Sequence, residues 1–225
     1  MGQRPVPDVV LATGDLVDAG NEEEYRRLQK LLAPLKMPVY LIPGNHDDRD
    51  ALRSAFADHA YLGHIGEPVC YCVAEHPLRL IALDTTVPGE TGGALDHRQI
   101  DWLAEQLDVA PRQPALIFMH HPPFKTGIAT MDEIGLDATG AAHLGAVVWR
   151  HPQIALLTCG HVHRGIQVRW NGTIASVCPS TAYQYGLNLE SHGLQPSSDE
   201  PPAYQLHCWN GVELVTHTVA VSVGA

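Results

Sequence analysis

Four apolar runs in this chain each stop at a small cluster of Gly, Asp, Asn or His, and this repeated ending constrains the fold most. "DVVLAT" runs into Gly14-Asp15, and "PVYLIP" into Gly44-Asn45-His46-Asp47. "PALIFM" runs into His120-His121, and "IALLTC" into Gly160-His161-Val162-His163. Short continuous apolar runs rich in β-branched residues read as buried strands. Ligands of layered α/β folds collect at the carboxyl ends of such strands. Any one of these endings alone reads equally well as a turn or a helix cap. Four of them carrying carboxylate, carboxamide and imidazole read as one constellation.

The intervening segments predict helices and hairpins. Tyr25, Leu28, Leu31, Leu32 and Leu35 recur at helical spacing over about Glu22 to Leu35. "DALRSAFAD" (50–58), "DHRQIDWLAEQL" (96–107) and about Ala138 to Trp149 read as further helices, with Ile100, Leu103 and Leu107 on one face of the second. "VCYCVAE" (69–75) and "LRLIALD" (78–84) read as a hairpin-type pair. Two later hairpins have Asn-Gly, a two-residue turn signal, at Asn171-Gly172 and Asn210-Gly211. No repeat or linker interrupts the chain, so residues 1–225 read as a single α/β domain with mixed strand pairing.

Charge and composition exclude several classes of partner. With 14 basic and 25 acidic residues the net charge is −11, which offers no basic footprint for a nucleic-acid duplex. A phosphate-containing substrate stays compatible, because a bound metal supplies positive charge locally. No stretch is long and apolar enough for a membrane span, and no basic-then-apolar leader opens the chain. The five cysteines (Cys70, Cys72, Cys159, Cys178 and Cys208) are odd in number and irregularly spaced, so free thiols in a reducing cytoplasm are expected.

Imidazole and carboxylate together suit zinc, iron, manganese or cobalt more than calcium. The absence of cysteine from the four strand ends argues against a structural zinc site. Asp47 reads either as a residue that orients His46 or a metal-bound water, or as a helix cap.

In order and approximate spacing, Gly14-Asp15, Gly44-Asn45-His46-Asp47, His120 and Gly160-His161-Val162-His163 resemble the calcineurin-like metallophosphoesterase family. "YLIPGNHDDR" with "IFMHHPPF" is similar to the bacterial branch holding cyclic-nucleotide and glycerophosphodiester phosphodiesterases. The resemblance implies a four-layer α/β/β/α sandwich and a two-ion centre bridged by Asp15. Asn45, His120 and His161 would complete the second ion, and His163 would belong to the first. His121 rivals His120 as the ligand. His46 would act as acid or charge stabiliser, aided by Asp47, and Asn45, His46 and His121 would face the substrate. The implied reaction is attack of a metal-activated water on a small phosphodiester, first of all a 3′,5′-cyclic nucleotide. A glycerophosphodiester, a phosphomonoester or a catalytically impaired binding role are the alternatives.

The chain departs from the family at one point. Family members begin with a strand ending in Asp-x-His, which completes the first metal, and this sequence contains no such triplet. Three readings follow: a longer gene product of which Met1 is a late start, a protein working with one ion or a weakly held second, and an inactive relative that binds phosphate or protein partners. Each leaves a family fold with its first strand missing here and one firmly supported ion. The unpaired edge of "DVVLAT" leads to an expected homodimer. The polar segment 180–202, together with Asp84, Thr85, His143, Tyr183 and Tyr185, is expected to line the pocket.

Overall fold

The computed structural model describes residues 6–190 and 196–221. Residues 191–195, in the middle of the expected pocket rim, lie outside that range. The order is β1 (Val10–Thr13), α1 (Glu22–Leu32), β2 (Val39–Ile42), α2 (Arg49–Ala55), β3 (Tyr71–Val73), β4 (Arg79–Leu83), α3 (His97–Asp108) and β5 (Ala115–Met119). Then follow α4 (Ala129–Glu133), α5 (Ala138–Arg150), β6 (Ile154–Cys159), β7 (Ile166–Trp170), β8 (Thr173–Val177), β9 (Ala203–Trp209) and β10 (Leu214–Ala220).

A six-stranded mixed sheet, ordered β3-β4-β5-β6-β8-β7, forms the centre. Successive strand residues face opposite ways, and the two faces bury separate clusters. Ile81, Leu83, Ile117, Met119 and Leu157 pack with Ile100, Leu103 and Leu107 of α3 and Leu144, Val147 and Val148 of α5. Leu80, Ala82, Leu116, Phe118 and Leu156 pack the other way, against Leu41 and Ile42 of β2, Tyr25 of α1 and Leu52 of α2. Trp209 and Leu214, from the antiparallel β9–β10 hairpin, join this second cluster. The result is the expected helix–sheet–sheet–helix layering with mixed sheets. β1 runs parallel to β2, and among the described residues no other strand pairs with β1.

Local chemistry explains the element ends. α1 starts in a capping box between Asn21 and Glu24, and stops at Leu32, short of the expected Leu35. Pro34 follows closely and has no amide proton to continue the helical hydrogen bonds, although Ala33 before it still has helical dihedrals. Tyr25 is fully buried, whereas Leu31 and Leu35 are exposed, so the buried stripe is narrower than the leucine spacing suggests. α3 begins at a second capping box, between Asp96 and Gln99. Asn171 and Gly172 both take positive φ (43° and 90°), as a two-residue hairpin turn requires. Asn210-Gly211 does not form a two-residue turn. Trp209 pairs with Leu214, so four residues close that loop, with Asn210 Oδ1 accepting from the Val212 and Glu213 amides. α4, at Ala129–Glu133, has too short a repeat to show in the sequence pattern.

Candidate metal centre

Strand register brings the four clusters together. β5 and β6 are parallel with Met119 opposite Cys159, so His120 and Gly160 emerge side by side, and the Gly160 amide donates to the His120 carbonyl (3.1 Å). β1 and β2 are parallel with Thr13 opposite Ile42, which sets the Asp15 loop beside the Asn45 loop. The loops approach so closely that a Cβ on Gly44 would collide with Asp15 Oδ1 and its backbone nitrogen. A Cβ on Gly160 would meet the Thr13 carbonyl at 2.5 Å. Close approach is thus what Gly160 provides, and the bend of the chain falls on the histidines. His161 (φ 72°) and His163 (φ 54°) are left-handed, as is Asp15 (φ 51°). Such residues store on the order of 1–3 kcal/mol of strain each, and they cluster at functional sites.

His120 organises the centre. Its Nδ1 lies 2.7 Å from the Thr13 carbonyl oxygen, which can only accept, so Nδ1 carries the proton. The neutral ring then presents a lone pair at Nε2. That atom lies 3.2 Å from Asn45 Oδ1, 3.2 Å from His161 Nδ1 and 3.3 Å from Asp15 Oδ1. One proton shared at Nε2 can satisfy only one of these atoms at a time. A single divalent cation would engage all four, and the donor set is one that manganese, iron, zinc and cobalt accept. The Thr13 carbonyl supplies the outer bond that orients a metal-bound imidazole. These residues therefore fit a divalent ion. His163 stands next to them, half-buried, and its buried Nδ1 has no hydrogen-bond partner among the described residues. Its ring stacks on Tyr185 (4.9 Å between centroids) and meets Tyr183 edge-on (4.6 Å).

The electrostatics follow from this crowding. Burial acts to raise the Asp15 pKa, but the bonds from His120 and the His46 amide outweigh it and hold the carboxyl below the usual range. His120 is fully buried, which disfavours its charge, yet the Asp15 carboxylate raises its pKa. Burial and the neighbouring His120 push His161 down to about 3. Burial also lowers His163, which stays a neutral ligand candidate.

Three expected residues stand elsewhere than anticipated. His121 has no exposure. Its Nδ1 accepts from the Thr85 hydroxyl (2.8 Å) and its Nε2 donates to the Thr91 carbonyl (3.1 Å), so both nitrogens are engaged by protein. The expected substrate contact from His121 is therefore corrected to a buried brace, although its ring lies close enough to His120 and His161 to form a triad. The Asp47 carboxylate bonds the Leu16 and Gly44 amides and the Tyr25 hydroxyl, not His46. The cap of α2 is Asp48, whose side chain accepts from the Asp50 and Ala51 amides. Asp84, expected at the pocket wall, is fully buried, in an ion pair with Arg49 (2.6 Å).

Sequence reasoning missed Asp18. The half-exposed His46 ring donates from Nδ1 to the Asp18 carbonyl (2.8 Å), with the Asp18 carboxylate 3.6 Å away. A main-chain bond of this kind leaves no residue-type signal. The only hint was a second carboxylate three residues after Asp15.

A layered α/β fold with Asp, Asn and His donors converging at its strand ends fits a metal-dependent hydrolase. The chain matches the model of the calcineurin-like phosphoesterase family over residues 2–165, and it belongs to that family. It is a metallophosphoesterase. It is 35% identical over 216 residues to the probable glycerophosphodiester phosphodiesterase GpdQ of Arcobacter nitrofigilis, covering 96% of this chain and 78% of that one. It is 28% identical to the 3′,5′-cyclic adenosine monophosphate phosphodiesterase CpdA of Escherichia coli strain K12, covering 95% of this chain and 75% of that one. The fold is similar to a dimetal phosphatase from Danio rerio (TM-score 0.65, 18% identity, 93% and 83% of the two chains). It is also similar to a purple acid phosphatase from yellow lupin seeds (TM-score 0.68, 14% identity, 95% and 44%). No helix among the described residues is long and apolar enough to cross a membrane.

Proposed function

We propose that the protein is a phosphodiesterase that hydrolyses a 3′,5′-cyclic nucleotide to the 5′-monophosphate. The observation that carries this reading is the convergence of Asp15, Asn45 and His161 on Nε2 of His120. Asp15, Asn45, His120 and His161 would hold one divalent ion, and Asp15 with His163 would contribute to a second. Such ions neutralise an anionic phosphodiester and supply an acidified water as nucleophile.

The remaining work falls to the protein. Asn45 contributes a neutral oxygen, which keeps the pocket from repelling phosphate. His46, held at Nδ1 by the Asp18 carbonyl, turns Nε2 toward the leaving group. The water loses a proton to solvent as its oxygen joins phosphorus and the bond to the 3′ oxygen breaks. The doubly protonated form of His46 gives its Nε2 proton to that oxygen while Nδ1–H stays on the Asp18 carbonyl. Tyr183 and Tyr185 stand beside His163 and offer ring faces to a nucleobase, and stacking of this kind contributes about 1–3 kcal/mol. Homologues named as cyclic-nucleotide phosphodiesterases support the same choice. A glycerophosphodiester is the second reading, favoured by the 35% identity to the GpdQ relative.

We take residues 1–225 as one domain and place it in a reducing cytoplasm on its five free cysteines. The deciding experiment compares kcat/KM for 3′,5′-cyclic AMP and for glycerophosphoethanolamine with Mn²⁺ present, in the wild type and in Tyr185→Ala. A preference for the cyclic nucleotide that falls about tenfold or more in the variant is expected. No turnover of either compound, or of bis(p-nitrophenyl) phosphate, would refute the enzyme reading.

A further inference from the structure

Asp47 and Tyr25 form a buried knot that none of the chemistry above uses. Asp47 Oδ2 accepts from two amides at once, Leu16 N at 3.0 Å and Gly44 N at 2.8 Å. Leu16 follows Asp15 and Gly44 precedes Asn45, so one oxygen joins the two loops immediately next to a ligand in each. The other oxygen accepts from the Tyr25 hydroxyl (2.9 Å), which in turn accepts from the Asp48 amide (3.0 Å). Tyr25 has no exposure and belongs to α1, whose first turn is locked by the Asn21–Glu24 capping box. The knot thus runs from a rigid helix, through one carboxylate, to both loops.

We propose that Asp47 and Tyr25 are positioning residues that set the spacing between Asp15 and Asn45, and so the affinity of the centre for its divalent ion. The reasoning is geometric. Asp15 and Asn45 sit on separate strands, and their donor atoms must stay within about one coordination sphere. The loops carrying them are glycine-bearing and partly left-handed, so β1–β2 pairing alone does not hold them. The His46 amide on Asp15 Oδ1 (3.1 Å) is a second crosslink between the same loops, but it engages the very oxygen that points at His120. The Asp47 bonds leave that oxygen free for the ion. A bond network behind metal ligands typically changes affinity 10–100-fold when broken.

The inference rests on the metal centre of the proposed function but not on its substrate. The test titrates metal-free protein with Mn²⁺ and follows the signal of the free aquo ion by electron paramagnetic resonance. It uses wild type, Tyr25→Phe, Asp47→Asn and, as control, Leu103→Ala in the opposite core cluster. Tyr25→Phe keeps the ring and its packing, so it stays folded even where Asp47→Asn does not. The expected result is about a tenfold weaker Kd in Tyr25→Phe, a larger loss in Asp47→Asn, and a Kd within about twofold of wild type in Leu103→Ala. Wild-type affinity in Tyr25→Phe, or an equal loss in Leu103→Ala, overturns the positioning role. A wild type that binds no Mn²⁺ overturns the centre and this role together. A wild type that binds Mn²⁺ but hydrolyses no cyclic nucleotide leaves it standing.

Discussion

Acidification of the metal-free protein gives the most direct check on the buried imidazoles. His121 is pushed down to about 2 by burial and by the flanking His120 and His161, and His161 is pushed down to about 3 for the same reasons. In the unfolded chain both titrate near 6.5. Between pH 6.5 and pH 5 the unfolded state therefore takes up a proton at each residue that the folded state refuses, so stability falls as pH falls. The slope for each approaches about 1.4 kcal/mol per pH unit, and because uptake is only half complete at pH 6.5 the pair loses roughly 3 kcal/mol across that window. The shift of His120 has the opposite sign: its folded pKa is raised, so its contribution is complete below 6.5 and is lost only as pH rises above that. Asp15, lowered, stays ionised in both states throughout the window. Urea unfolding in EDTA, followed by the fluorescence of the four tryptophans, measures the free energy at each pH. His121→Gln should remove about one proton from the slope, because His121 acts through its bonds to Thr85 and Thr91 alone. A stability that does not change from pH 6.5 to pH 5, or a slope that His121→Gln leaves intact, would refute the assignment of neutral buried rings.

Gly44→Ala places a methyl group against Asp15 Oδ1 and the His120 ring, so it should cost about 1–3 kcal/mol of stability and at least tenfold in Mn²⁺ affinity by isothermal titration. Arg49→Met strips the partner from Asp84, which has no exposure, and should destabilise by about 3 kcal/mol in urea titration. Asp84→Asn in the same background should restore part of that loss, since it removes the stranded charge.

The fold was legible where periodicity and termination agreed. Each strand run ends within a residue or two of its polar cluster, because a buried strand has no reason to stop except a turn or a functional ending. The Asn171-Gly172 turn was equally readable, since both residues tolerate positive φ. Asn210-Gly211 carries the same dipeptide yet closes a four-residue loop, because the Asn210 side chain satisfies two amides that a tighter turn would not expose. The identical pair gives different turns because strand pairing beyond the turn decides the register. Leu31 and Leu35 failed for a similar reason: helical spacing marks a stripe, but only the neighbouring sheet decides how wide a stripe is covered.

The site divides along a physical line. Ligand candidates were legible because metal donors are rare residue types delivered by side chains, and side chains are what a sequence spells out. The parts that hold them are mostly main chain: the Thr13 carbonyl on His120, the Asp18 carbonyl on His46, and the Leu16 and Gly44 amides on Asp47. Every residue carries those groups, so no residue type announces them. That is also why Asp47 and His121 were placed too near the chemistry. A carboxylate or imidazole beside a ligand looks alike in sequence whether it faces the substrate or grips the backbone behind it. Burial separates the two cases: His46 is half-exposed, whereas His121 has no exposure and both its nitrogens are taken. For strand-end clusters of this kind, the residue that still has an uncommitted nitrogen or oxygen is the one available to an ion or a substrate.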